Sequence, residues 1–118
     1  MSETQEGPGS VRYLVFTWVP EELLDTWDAW HSEVHVPDVV SCPQIRSARK
    51  YRLTDSSLSG DWQAQYVMIY ELASLADFEA YIAGPGVALR QDYTERYGAF
   101  GKIARLALTE TTAFTPVE

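Results

Sequence analysis

Cysteine is almost absent from this 118-residue chain: Cys42 stands alone. A disulfide framework and a cysteine-rich zinc or iron–sulfur site within one chain are thereby excluded. Histidine is nearly as scarce, and both copies fall close together, at His31 and His35. Basic charge is short as well, nine Lys and Arg against seventeen Asp and Glu, for a formal net charge of −8. Nucleic acid and anionic membrane surfaces need a basic footprint, so neither is expected as a partner. No run of 18 apolar residues offers a bilayer-spanning helix. Residues 1–10 are polar, acidic and interrupted by Gly7, Pro8 and Gly9, unlike a signal peptide. A cytoplasmic protein is the expectation.

What is present is a substantial core: 46% of the residues are hydrophobic and 13% aromatic. A chain of this length makes one domain, expected over residues 11–118 behind a disordered tail at 1–10. Residues 11–19 are an almost unbroken β-favouring run, read as a strand apolar on both faces and stopped by Pro20. Pro20, Glu21 and Glu22 suit the first turn of a helix. Leu23, Trp27, Trp30 and Val34 then lie on one helical stripe. Pro37 pushes Val36 out of helical geometry, so the helix is expected to end near His35. Residues 45–53 read as a second strand whose density of Arg and Lys suits a sheet edge. Residues 62–72 make a third strand, again apolar on both faces. Ser74 caps a second helix carrying Leu75, Phe78, Tyr81 and Ile82. Gly84-Pro85-Gly86 stops that helix; it lacks the Lys-Ser/Thr of a phosphate loop. A short helix at 87–97 and a fourth strand at 102–112 complete the chain.

The order strand–helix–strand–strand–helix–strand predicts a ferredoxin-like α+β fold. Its four-stranded antiparallel sheet would run 4-1-3-2, with the helices on one face. That order places the two doubly apolar strands in the centre. The greasier set, Leu14, Phe16 and Trp18 with Val67 and Ile69, is expected to face the helices. Tyr13, Val15 and Thr17 with Tyr66, Met68 and Tyr70 would then form the open face. An uncovered face of that kind predicts a homodimer with facing sheets. Its tyrosines suit either a small-molecule cavity or a plain interface.

The two histidines, one helical turn apart, carry the chemistry available here. A helix C-terminus favours the imidazolium, and burial against tryptophan favours the neutral ring. Three roles stay open: a structural ring bonded to backbone, an acid/base or substrate-binding group, and a metal ligand. The last lacks a third ligand, so no metal is expected. Arg49 shares a parity with Tyr51 and would hold a carboxylate or enolate if that parity faced the cavity; Arg105 has a similar claim. Cys42 before Pro43 reads as a small buried residue.

Trp30-His31-x-Glu33-x-His35-x-Pro37-Asp38, then Pro43, Ala48, Arg49 and Tyr51, resembles the EthD-like branch of the dimeric α+β barrel superfamily. Tyr70-Glu71-Leu72 with Ser74 and Phe78 continues the pattern; Gln44 departs from it, standing where a glycine is expected. The resemblance implies a ferredoxin-like protomer, a sheet-to-sheet dimer and a ligand cavity beside the sheet. It covers cyclases, isomerases and small monooxygenases among others, so the site must narrow the function. The expected function is cofactor-independent proton-transfer chemistry of cyclase, isomerase or lyase type on an oxygenated, largely apolar small molecule. His35 is the preferred acid/base and His31 the second. Tyr13, Arg49, Tyr51, Tyr66, Met68, Tyr70 and Trp30 are the expected substrate contacts. A cofactor-free monooxygenase acting on an aromatic substrate and a non-catalytic binding protein are the alternatives.

Overall fold

The computed structural model describes residues 8–57, 60 and 64–117. Strand β1 (Val11–Trp18) leads through Pro20 into α1 (Glu21–Trp30), where Glu21 and Glu22 complement the exposed amides of the first turn. A π-helical turn (His31–His35) and α2 (Val36–Val40) follow without a break. Strands β2 (Ser47–Arg52) and β3 (Tyr66–Leu72) precede α3 (Leu75–Ala83), α4 (Gly86–Tyr97) and β4 (Lys102–Thr109). Ser74 caps α3 as its sequence suggests, its hydroxyl accepting from the Asp77 amide at 3.1 Å.

The sheet runs β2-β3-β1-β4, every pair antiparallel, which is the order 4-1-3-2 read from the other edge. Strands β1 and β3 occupy the centre, as their doubly apolar runs require. The strands are shorter than their apolar runs because pairing continues by single bonds at the ends. Arg46 donates to the Glu71 carbonyl and Leu53 to that of Gln65, both at 2.8 Å. The Gln65 side chain bonds both the amide and the carbonyl of Val19, standing in for a strand. Positions 62 and 63 of the expected third strand lie outside the described residues. So do residues 1–7 of the expected tail. Its last positions are paired: Gly9 donates to the Glu110 carbonyl and Glu110 to that of Ser10.

The assignment of sheet faces is the reverse of the sequence expectation. Val11, Tyr13 and Thr17 with Met68, Tyr70 and Leu72 are buried beneath the helices. Leu14, Phe16, Trp18, Val67 and Ile69 lie on the opposite, open face, joined by Leu106 and Leu108 from β4. Relative greasiness is a poor guide when both faces are apolar, because a one-residue phase change exchanges them whole. The tyrosine parity wins here because aromatic rings from the helices meet it. Phe78 and Tyr81 of α3 pack on Tyr13 at 5.2 and 6.2 Å between ring centroids. Two buried clusters result, one around Tyr13, Tyr70 and Tyr81, the other around Val19, Trp27, Tyr93 and Tyr97.

The first helical segment also departs from expectation: it does not end near His35 but continues to Val40. Pro37 cannot donate to a carbonyl one α-turn back, and its ring would crowd that carbonyl. The wider π register accommodates this, with the Val36 amide reaching five residues back to the His31 carbonyl. Proline then sits in the first turn of α2, where its missing donor is harmless. The extra residue in the turn swings Val34 out of the Leu23–Trp27–Trp30 stripe, and it stands 44% exposed.

Candidate active site

The π-helical turn carries both histidines onto the helix-covered side of the sheet. His31 is 2% exposed and lies flat against Trp27. His35 is partly buried one wide turn on, with its ring centroid 5.5 Å from that of His31 and 5.1 Å from that of Trp30. Tyr93 of α4 meets the His35 ring edge-on at 5.5 Å and 64°. The Tyr93 hydroxyl accepts from Trp27 Nε1 at 2.9 Å, which fixes α4 against α1. Three polar atoms in this cluster are buried without a hydrogen-bond partner: Nδ1 of His31, Nδ1 of His35 and Nε1 of Trp30. Buried polar atoms are normally satisfied, each orphan costing about 1–3 kcal/mol. Three in one place make this cluster the candidate site.

Burial controls the charge state of both rings. The His31 pKa is pushed down to about 3, first by desolvation, then by the nearby Lys50 and His35. His35 is held below its ordinary value, also chiefly by burial; Asp92 and Asp38 oppose this and Arg105 adds to it. With His35 in mid-helix rather than at a C-terminus, the favourable end of the helix dipole is no longer beside it. Both imidazoles are neutral at pH 7. Burial raises the phenols of Tyr13, Tyr70, Tyr81 and Tyr93 above their ordinary value, so they keep their protons.

Arg105 ties these groups together. Its position opposite Val15 puts it on the helix side of edge strand β4. Its charge acts on the phenols of Tyr13, Tyr81 and Tyr93 and on His35. A groove of about 670 Å³ between α4 and β4 opens here, lined by Val87, Arg90, Gln91, Thr94, Glu95 and Arg105.

The structure brings together most of the residues singled out from the sequence. His31, His35 and Trp30 form one stack; Tyr13 and Tyr70 lie 5.8 Å apart over the buried Met68 level of the sheet. Tyr66 stacks on Trp27 at 5.5 Å, on the side held by Lys50. Arg49 and Tyr51 are not part of this group. They pair with Ile69 and Val67 on the open face, where Arg49 approaches Glu71 at 3.8 Å and Tyr51 is 47% exposed. Sequence reasoning missed Tyr93, although Gly86, Arg90, Tyr93 and Tyr97 recur on one face of α4 at helical spacing. It missed Lys50 too, having singled out only Arg49 from the basic strand. Cys42 is buried, with its thiol directed at the Asp38 carbonyl at 3.6 Å and its pKa raised by burial, so it is no nucleophile. Among the described residues no three His, Cys, Asp or Glu side chains cluster as metal ligands, and no helix is long and apolar enough to cross a membrane.

The fold recurs in proteins of very different sequence. An EthD (ethyl tert-butyl ether D) family protein from Bacillus halodurans C-125 superposes with a TM-score of 0.70 at 16% identity, over 86% of this chain and 99% of that one. A variant of SnoaB, a cofactor-independent oxygenase from Streptomyces nogalater, matches with a TM-score of 0.63 at 13% identity, over 92% and 99%. The hydroxynitrile lyase of Passiflora edulis matches with a TM-score of 0.62 at 16% identity, over 92% and 100%. At these identities the likeness is one of fold, the ferredoxin-like fold that the sequence pattern resembles. No curated protein matches at the level of sequence. By its sequence over residues 10–111 the chain belongs to the family described as a domain of unknown function, DUF4286.

Proposed function

We propose that the chain is a cofactor-independent enzyme that moves a proton on a small, oxygenated, largely apolar substrate, with His35 as the acid/base group. The observation that carries this reading is the half-buried, neutral His35, set between Trp30 and Tyr93 and within reach of the Arg105 charge. A neutral imidazole accepts a proton from a carbon beside a carbonyl, or from a hydroxyl whose carbon–carbon bond then breaks. Asp92 and Asp38 stabilise the imidazolium so formed, which afterwards returns the proton. The oxyanion left on the substrate is met by Arg105 and by the Tyr13 phenol, whose raised pKa keeps it a donor. His31, locked on Trp27, orients the turn rather than exchanging protons. Proteins of this fold include a hydroxynitrile lyase and a cofactor-independent oxygenase. The second supports an alternative reading, in which the deprotonated aromatic substrate reacts with oxygen.

The test is a comparison of the wild type with His35→Gln on an aromatic cyanohydrin and on a polycyclic phenol under air. Aldehyde release and oxygen consumption are the two readouts. Turnover of either probe should fall about 10²–10⁴-fold in the variant at an unchanged melting temperature. Oxygen uptake stoichiometric with product selects the oxygenase reading. Wild-type turnover in the folded variant overturns the assignment of His35.

The same reading includes a homodimer. Leu14, Phe16, Val67, Ile69 and Leu106 lie on a sheet face that carries no helix among the described residues. A contiguous apolar face of this extent is characteristic of an interface, and a second copy is the occupant we assign to it.

A further inference from the structure

We infer that the inner end of the α4–β4 groove is a carboxylate subsite, in which Arg90 and Arg105 together hold an organic acid group of the substrate. This rests on the reading of Arg105 and Tyr13 as groups that meet the substrate, and it adds an acid group to that substrate's chemical class.

Arg90 is anchored from behind. One of its terminal nitrogens, Nη2, donates to the Ile82 carbonyl at 2.8 Å at the end of α3. The other, Nη1, is buried and has no partner. It lies against Gly86, where a Cβ would come within 2.8 Å of it, so the glycine leaves the space that the guanidinium occupies. A guanidinium held by one nitrogen with the next one orphaned is oriented and unsatisfied at once. In so buried a place, that state is costly unless a ligand completes it.

Arg105 approaches from the opposite wall. It stands on the edge strand, on the helix side opposite Val15, and lines the groove. Both arginines line the same groove and both exert their charge on Tyr13 and on Tyr81. Neither is ion-paired with a carboxylate among the described residues, in a chain of net charge −8. By contrast, Arg12 and Arg49 approach Glu71, and Arg96 meets Asp92. Two guanidinium groups left without a counter-charge in one groove fit a carboxylate, whose two oxygens match the planar donor fork. Glu95 lines the groove from the exposed side of α4. It repels an anion at the mouth, so the acid group belongs at the inner end, beside Tyr13 and within the field of His35.

Benzoate and its neutral isostere benzamide are the probes, titrated calorimetrically into wild type, Arg105→Gln, Arg90→Gln, Glu95→Gln and His35→Ala. Benzoate should bind at least tenfold more tightly than benzamide, and Arg105→Gln should remove that preference. Glu95→Gln should tighten benzoate, and added salt should weaken it. His35→Ala should leave the benzoate affinity within about twofold, because the subsite holds the acid group without proton transfer. Arg90→Gln breaks the Ile82 bond; if it fails to fold, Arg105→Gln carries the test alone. Equal binding of the two probes, no benzoate binding, or benzoate binding indifferent to Arg105 overturns the inference. None of these outcomes bears on His35, whose role fails only if its variants turn over normally.

Discussion

The imidazole of His31 lies on the indole of Trp27 with ring centroids 4.3 Å apart and planes 19° from parallel. Such a stack buries one ring face and leaves a proton on that ring without solvent. Its pKa of about 3 in the folded chain lies below the ordinary value of 6.5. Between those limits the unfolded chain binds the extra proton, so stability falls as pH drops from 6.5 toward 3. The slope reaches about 1.4 kcal/mol per pH unit. His31→Phe keeps the stack and removes the titration. Urea unfolding at pH 7 should place the variant within about 1.5 kcal/mol of wild type. At pH 4.5 the variant should be the less acid-sensitive of the two. Parallel acid dependence in both proteins would show that His31 already carries a proton when folded.

Lys50 couples β2 to the same stack. Its ammonium bonds Asp28 at 2.7 Å and Ser32 at 2.6 Å while sitting 5.2 Å above the Trp27 ring. Lys50→Met should lower stability by about 1 kcal/mol, since the partly exposed Asp28 is readily rehydrated. It should also raise the His31 pKa by removing a nearby positive charge. An NMR titration of the His31 ring protons measures this. No change would leave burial and the neighbouring His35 as the causes.

The central strands were legible because their runs are almost unbroken in apolar and β-favouring residues on both parities, which suits an interior strand. Edge strand β2 was equally legible from Arg46, Arg49, Lys50 and Arg52. Which parity faced the helices was not, since Tyr13–Val15–Thr17 and Leu14–Phe16–Trp18 are both buriable. The choice depends on partners from α3 and α4 far along the chain. Arg49 and Tyr51 were consequently placed on the wrong side, and Lys50, which lies between them in sequence, was overlooked. The histidines were found by their scarcity and spacing. The turn that holds them was not, because Pro37 signals a helix stop and a π register equally well.

Pro37 should therefore control the relation between the two rings. Pro37→Ala restores an amide that can donate to the Glu33 carbonyl, favouring ordinary α geometry through the turn. The melting temperature should hold or rise, since alanine is the better helix former. His35 should rotate away from Tyr93, with loss of the nuclear Overhauser contacts between the two rings. Turnover should fall with it, as for a small misplacement of an acid/base group. Retention of both the contacts and the rate would mean that packing against α4, rather than the proline, sets the register.

The open sheet face makes the remaining prediction. Leu106 pairs with Leu14 on that face and is 50% exposed in the protomer, so a charge there should be tolerated by the fold. In a dimer with facing sheets the same position would bury that charge without a partner, which costs several kcal/mol. Leu106→Asp should thus leave the secondary structure intact while converting two associated 13.3 kDa chains into one. Light scattering coupled to size exclusion at micromolar concentration reads the change directly. Lys50→Met, lying on the other side of the sheet, should leave the mass unaltered. A wild-type mass of a single chain removes the second copy as the occupant of this face. A dimer that persists in Leu106→Asp relocates the interface away from β4, because an apolar sheet contact does not accommodate an unpaired buried carboxylate.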